Sequence, residues 1–180
     1  MVPEKGVRVL WIDLTRADTE PLVFSERPVL APQSGGEDVV SVDAVEIEGH
    51  VERAGQGFLL EGRVRGAAKL RCVRCLGEFD FPFTERLELH LLPSSALPQE
   101  EEKRLEMGDL EVRFYDEPKV DLGEVATEQF ALTVPMKPLC AQTCRGMCPR
   151  CGANLNLGPC SCPETSDDRW APLLDWRPSE

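Results

Sequence analysis

The stretch FLLEGRVRGAAKLRCVRC, residues 58–75, decides how the rest of the chain is read. Over Arg63–Cys72 it alternates charged with apolar residues, the period of a strand that buries one face. Arg63, Arg65, Lys69 and Arg71 fall in one row with Ala67 among them; Val64, Ala68, Leu70 and Cys72 point the other way, into a core. Upstream, VVSVDAVEIEGHVER (39–53) alternates similarly and reaches this strand through Ala54-Gly55-Gln56-Gly57. Downstream, FDFPFTERLELHLL (79–92) places Phe79, Phe81 and Phe83 on one face. Long alternating runs joined at tight Gly-containing turns predict an antiparallel meander.

Farther out the signals are shorter. VRVLWIDL (7–14) reads as a strand, whereas residues 16–37 are broken by Pro21, Pro28, Pro32 and Gly35-Gly36 and read as irregular. PSSALPQEEEKRLEMGDLE (93–111) reads as an exposed acidic connector, and EVRFY as one more short strand. DLGEVATEQFALTVP predicts a helix over 121–134, with Asp121 as N-cap and Glu124 completing a capping box. Leu122, Val125, Gln129 and Leu132 lie along one side with Ala126 and Phe130 beside them, and Pro135 ends it. Asp167 or Asp168 is placed to cap a short terminal helix presenting Trp170, Leu173 and Leu174. The expected class is α+β: an antiparallel β-rich body, one packed helix and a C-terminal zinc-knuckle-like segment. The expected divisions are an N-terminal strand and irregular segment (1–37), a β-rich core domain (38–135) and a cysteine-rich tail (136–180).

Composition narrows the function classes. With 42% hydrophobic and 29% charged residues the chain is an ordinary folded protein. No run approaches the roughly 20 apolar residues of a membrane span, and the start lacks the pattern of a signal peptide. A cytoplasmic protein without a membrane partner is expected. The net charge of −12 points away from a simple nucleic-acid sheath and toward a docking surface for a basic partner. RVRGAAKLRCVRC runs against that background: Arg63, Arg65, Lys69, Arg71 and Arg74 stand there without an acid. Such a row can lie across phosphates. It can equally pair with Glu46, Glu48, Glu85 or Glu88 on neighbouring strands.

Six of the 8 cysteines lie in CAQTCRGMCPRCGANLNLGPCSC, residues 140–162. Cytosolic thiols are kept reduced, which disfavours a disulfide knot. Cys72-Val-Arg-Cys75 alone can bite a metal or form a reversible disulfide, but a redox pair belongs at a helix start near a βαβ unit, and this one follows a strand. Cys148-Pro-Arg-Cys151-Gly152 has the shape of a zinc knuckle. Four ligands from Cys140, Cys144, Cys148, Cys151, Cys160 and Cys162 satisfy a structural zinc ion. One set is Cys144, Cys148, Cys151 and Cys160, another the same with Cys162. Eight thiols also allow a second site in which Cys72 and Cys75 recruit Cys140 and one neighbour. With only His50 and His90, both in the β region, an open catalytic zinc is disfavoured.

Three elements, LRCVRCLGEFDFPF (70–83), VDLGEVATEQFALTVPMKPLC (120–140) and CRGMCPRCGANLNLGPCSC followed by DDRWAPL, resemble the bacterial YceD family, the large ribosomal RNA subunit accumulation proteins. The resemblance spans roughly residues 38–176. It implies a non-enzymatic factor for accumulation of large-subunit (23S) rRNA, with precursor rRNA or a large-subunit ribosomal protein as partner and neither catalytic residues nor a small-molecule substrate. Some members lack the tail cysteines, so the metal is not general to the family's function. Two other classes stay open: a zinc-containing acidic adaptor in transcription, and a thiol oxidoreductase using Cys72 and Cys75.

Overall fold

The computed structural model describes residues 10–96 and 112–163. Residues 7–9 of the opening strand, most of the acidic connector and the terminal helix therefore lie outside the described residues. Among the described residues eight strands and one helix follow in order: β1 (Trp11–Asp13), β2 (Leu22–Glu26), β3 (Val39–Val42), β4 (Glu46–Ala54), β5 (Gly57–Arg71), β6 (Glu78–Pro93), β7 (Val112–Tyr115), β8 (Lys119–Asp121) and α1 (Leu122–Thr133).

The meander is present. β4 pairs antiparallel with β5 from Glu46↔Arg65 to Ala54↔Gly57, so Gly55 and Gln56 form a two-residue turn, with Gly55 at φ 58°. β5 pairs antiparallel with β6 over its full length, from Phe58↔Leu91 to Arg71↔Glu78. The alternation sorts these strands as the sequence predicts: Phe58, Leu60, Val64, Ala68 and Leu70 are buried, as are Ile47 and Val51 of β4 and Phe83, Leu87 and Leu91 of β6. Residues 39–53 are not one strand, however. Their register along β5 shifts between Val39 and Ser41 and breaks at Asp43–Val45, giving β3 and β4. Asp43 keeps its amide bonded to the Ala67 carbonyl across that break.

Three expectations are corrected. Residues 16–37 contain β2, which pairs antiparallel with β4, and two 3-10 turns at Leu14–Ala17 and Pro32–Gly35. Leu14, Ala17, Phe24 and Leu30 enter the same core as β4–β6, so this segment is part of the body. The prolines lie outside β2, where they interrupt no ladder bond. Secondly, the six-stranded sheet is not wholly antiparallel: β7 runs parallel to β6. A four-residue strand carries no directional signal in its side chains, so its sense was not legible. β1 pairs with β8 in a separate two-stranded ribbon.

Third, the helix buries Leu122, Val125, Ala126 and Phe130, whereas Leu132 is 80% exposed. At about 100° per residue Leu132 lies roughly 200° around the axis from Phe130, whose ring packs on the sheet 5.2 Å from Phe83. Asp121 caps the helix by accepting the Gly123 amide at 2.8 Å. Glu124 does not close a capping box; its carboxylate faces Arg113 of β7 at 3.4 Å.

β4 and β5 approach most tightly where Gly49 faces Gly62. A Cβ on Gly62 would lie 2.2 Å from the Glu48 carbonyl oxygen, and one on Gly49 2.1 Å from that of Glu61. Backbone occupies both positions, so no side chain fits without spreading the strands. Gly62→Ala is expected to lower stability in urea unfolding by about 1–3 kcal/mol. An unchanged midpoint would show that the strands part freely here.

Candidate metal centres

The turn that joins β5 to β6 is Cys72–Gly77, the first C-x-x-C. Its amides fold around sulfur. The Leu76 amide donates to the Cys72 carbonyl at 2.8 Å and the Cys72 amide to the Gly77 carbonyl at 2.9 Å. Cys148–Ala153 repeats both bonds at the same offsets: Gly152 amide to Cys148 carbonyl at 2.9 Å, Cys148 amide to Ala153 carbonyl at 2.8 Å. The residue after the second cysteine has positive φ in each, 56° at Leu76 and 73° at Gly152. The two C-x-x-C motifs are thus the same knuckle. The first carries a leucine where the backbone favours glycine, a local strain of about 1–3 kcal/mol.

Each knuckle meets a second cysteine pair. Cys72 and Cys75 gather with Cys140 and Cys144, and Cys148 and Cys151 with Cys160 and Cys162; within each group the sulfur atoms all lie within 4.8 Å of one another. The Cys72–Cys144 and Cys75–Cys140 sulfurs are 3.8 and 3.7 Å apart. Four thiolates at about 2.3 Å from a zinc-like ion form a tetrahedron with edges of about 3.8 Å, whereas a disulfide needs about 2.05 Å. The donor set and its spacing fit a tetrahedral sulfur-bound cation.

The first group has the composition of the second site considered from the sequence, Cys72 and Cys75 with Cys140 and one neighbour, while the tail group takes Cys148, Cys151, Cys160 and Cys162 without Cys144. Cys144 and Cys148, adjacent in the spacing-based sets, belong to different groups. The Met147 amide between them donates to the Arg74 carbonyl at 3.1 Å, and Gly146 turns with φ 76°. That turn leaves Cys144 against the first knuckle and starts the second beyond it. His50 and His90 belong to neither group; His50 faces Glu61 across the sheet at 3.7 Å.

The electrostatics favour a bound cation. Burial opposes ionisation of Cys72, but amides of Cys140, Cys75 and Arg74 directed at its sulfur prevail and bring its pKa to about 6. The amides of Cys151 and Arg150 do the same for Cys148, also to about 6. Cys140, chiefly through its contact with Cys144, and Cys162, chiefly through Cys151, are pushed up to about 12. Some thiols in each group ionise readily while others resist adding charge. A dication removes that resistance by neutralising the thiolates.

The groups are wired together. The Asn156 side chain, in the loop of the second centre, donates from Nδ2 to the Cys144 sulfur of the first at 3.3 Å and accepts the Arg145 amide at 2.8 Å. That hydrogen bond is the main cause of the lowered Cys144 pKa. Asn154 in turn accepts from both the Asn156 amide and its side chain. These asparagines were missed in the sequence, where N-L-N carries no metal-ligand signal.

The basic row on β5 keeps its common face but not its freedom. Arg65 pairs with Glu46 at 2.8 Å and faces Glu48 at 3.6 Å, holding the Glu46 carboxyl below its ordinary pKa. Lys69 pairs with Asp80 at 3.0 Å. Arg74 leaves the row altogether and donates to the Cys144 carbonyl at 3.2 Å, bracing the first centre. Arg63 and Arg71 make no ion pair among the described residues.

Residues 60–176 match the family model described as Large ribosomal RNA subunit accumulation protein YceD. The chain belongs to the YceD family. The matched region takes in all eight cysteines, the β5–β6 hairpin and α1, and leaves β1–β4 outside. The chain is also 28% identical over 169 residues to uncharacterized proteins of Mycobacterium tuberculosis and Mycobacterium bovis, covering 91% of its own length and 79% of theirs. A Mycobacterium leprae relative is 26% identical over 132 residues, covering 73% and 58% respectively. No solved structure matches the chain.

Metal analysis of the purified protein is expected to give two ions per chain, and one in either Cys72→Ser or Cys148→Ser. A loss of all metal in Cys148→Ser would instead mean that only one centre binds. Asn156→Ala removes the hydrogen bond to Cys144 but no ligand. It is expected to weaken metal retention at the first centre by about 10–100-fold in chelator competition, and equal retention would show the contact to be incidental.

Proposed function

We propose that this protein is a non-enzymatic ribosome-biogenesis factor, acting in the cytoplasm to support accumulation of large-subunit (23S) rRNA. It does so by binding precursor rRNA, a basic large-subunit ribosomal protein, or both. Membership of a family described by large ribosomal RNA subunit accumulation carries this reading. The net charge of −12, with Arg65 and Lys69 of β5 paired to carboxylates, supports a body that docks basic protein. No helix among the described residues is long and apolar enough to cross a membrane.

The metal is proposed to be zinc in a structural role. Eight thiolates and no histidine in the two groups leave no open coordination position of the kind catalysis uses. Residues 136–163 bury little beyond Pro138, Cys144, Gly146 and Cys148, so coordination would replace a hydrophobic core there. The lowered pKa of Cys72 is the one feature in common with a thiol oxidoreductase, but its side chain is fully buried against Cys144.

Sedimentation of cell extract tests the role: the protein is expected with precursor large-subunit particles, and its depletion is expected to lower 23S rRNA relative to 16S. Recovery with RNA polymerase and without ribosomal proteins would favour a transcription adaptor. Insulin-reducing activity without bound zinc would favour the oxidoreductase.

A further inference from the structure

The two longest acid-free runs of a chain with 32 acidic residues are 62–77 and 129–163. The first run is the second half of β5 with the first knuckle, and the second run begins within α1 and contains every other cysteine. The metal module is therefore built from these two acid-free runs of a strongly acidic protein. Its composition is not a requirement of coordination, since carboxylates are compatible with the loops around a thiolate-bound ion.

Most cations of the strands have an acidic partner, Arg63 and Arg71 excepted, whereas those of the module have none among the described residues. Arg53, Arg65, Lys69, Arg86, Arg113 and Lys119 each contact a carboxylate. Lys137, Arg145 and Arg150 are exposed and make no such contact among the described residues. Their display is also fixed by backbone. Cys148 bonds Ala153, Leu155 bonds Gly146, and Met147 bridges Asn154, so residues 146–148 and 153–155 form a small hairpin with Arg150 in its turn. Arg145 enters that hairpin with its amide held by Asn156. Arg145 is exposed and Met147 is 36% exposed, whereas Cys148 is buried. The thiolate charge is drawn inward: Cys148 and Cys144 are buried, and the Cys148 sulfur accepts amides of Cys151 and Arg150.

We propose that this acid-free surface of the metal module, with Lys137, Arg145 and Arg150 as its phosphate-contacting groups, is where the protein holds RNA. The proposal rests on the assembly role above and assigns the RNA to the module, in place of the row on β5. Arg145 and Arg150 at the hairpin, and the exposed Lys137, have no ion pair among the described residues to break before they gain counterion-release energy from phosphates. With no aromatic side chain in residues 134–163 to stack on bases, recognition is of backbone and shape. The metal's part is to hold the cations in place.

The test uses the full chain and a fluorescein-labelled transcript of large-subunit rRNA, with affinity measured from about 50 to 200 mM salt. Lys137→Gln/Arg145→Gln/Arg150→Gln changes no metal ligand and is expected to keep two ions per chain. It is expected to flatten the slope of log affinity against log salt by about 2, at about 0.7 per single-strand phosphate contact. Arg53→Gln/Arg65→Gln/Arg86→Gln, an equal change of charge on the sheet, is expected to leave the slope within half a unit of wild type. Equal affinity and slope for the module variant and wild type would overturn the proposal, as would an effect of the same size in the sheet variant. Loss of a basic ribosomal protein from the module variant, with RNA binding intact, would also overturn it. Sedimentation of the wild-type protein separates the two readings: presence on precursor particles alongside an unaffected module variant removes the RNA surface alone, whereas absence from them removes the assembly role.

Discussion

Four sulfur atoms from opposite ends of the matched region, Cys72 and Cys75 with Cys140 and Cys144, converge within 4.8 Å. On that convergence depends the placement of residues 134–163. The β5–β6 turn is a strained knuckle with Leu76 at φ 56°, and the segment that meets it has almost no apolar burial of its own. The surrounding contacts are backbone to backbone: Val73 amide to Pro138 carbonyl at 3.0 Å and Met147 amide to Arg74 carbonyl at 3.1 Å. Hydrogen bonds of this kind contribute about 1 kcal/mol each. Coordination of a cation by these four sulfur atoms would supply the strength to order such a segment.

The body has the opposite character. Its core is continuous from Leu14 to Phe130 and is made by alternation along β4, β5 and β6, with α1 closing one side. Charges on the outer face are paired across strands, Arg65 with Glu46 and Lys69 with Asp80. Exposed pairs of this sort add little stability, but they keep a −12 protein from presenting a free basic stripe. Charge is thus divided between a body with a surplus of acids and a metal module without any.

The sequence disclosed whatever depends on periodicity or local capping. Alternation at Arg63–Cys72 placed β5 and its faces, and Asp121 and Pro135 bounded α1 to within a residue or two. It was silent where long-range pairing decides. The parallel sense of β7, the attachment of β2 to β4 and the exposure of Leu132 all follow from what lies opposite. The metal site shows both sides. Every ligand residue was visible as a cysteine, yet the division into groups turned on Gly146 and on the Met147–Arg74 bond, neither of which spacing reports. The Asn156 contact to Cys144 was invisible for the same reason.

The division of the cysteines also orders events in time. Cys148, Cys151, Cys160 and Cys162 are neighbours along the chain, so their group closes a short loop and can assemble as soon as that segment has been synthesised. The other group needs Cys72 to meet Cys140 across the length of β6, β7, β8 and α1. Its loop is closed for it by the folding of the body, because β6 must zip onto β5 before the knuckle has its shape. The local centre is a seed and the distant one a seal. A hairpin out of register would separate Cys72 and Cys75 from Cys140 and Cys144 and leave that group two sulfur atoms short of four.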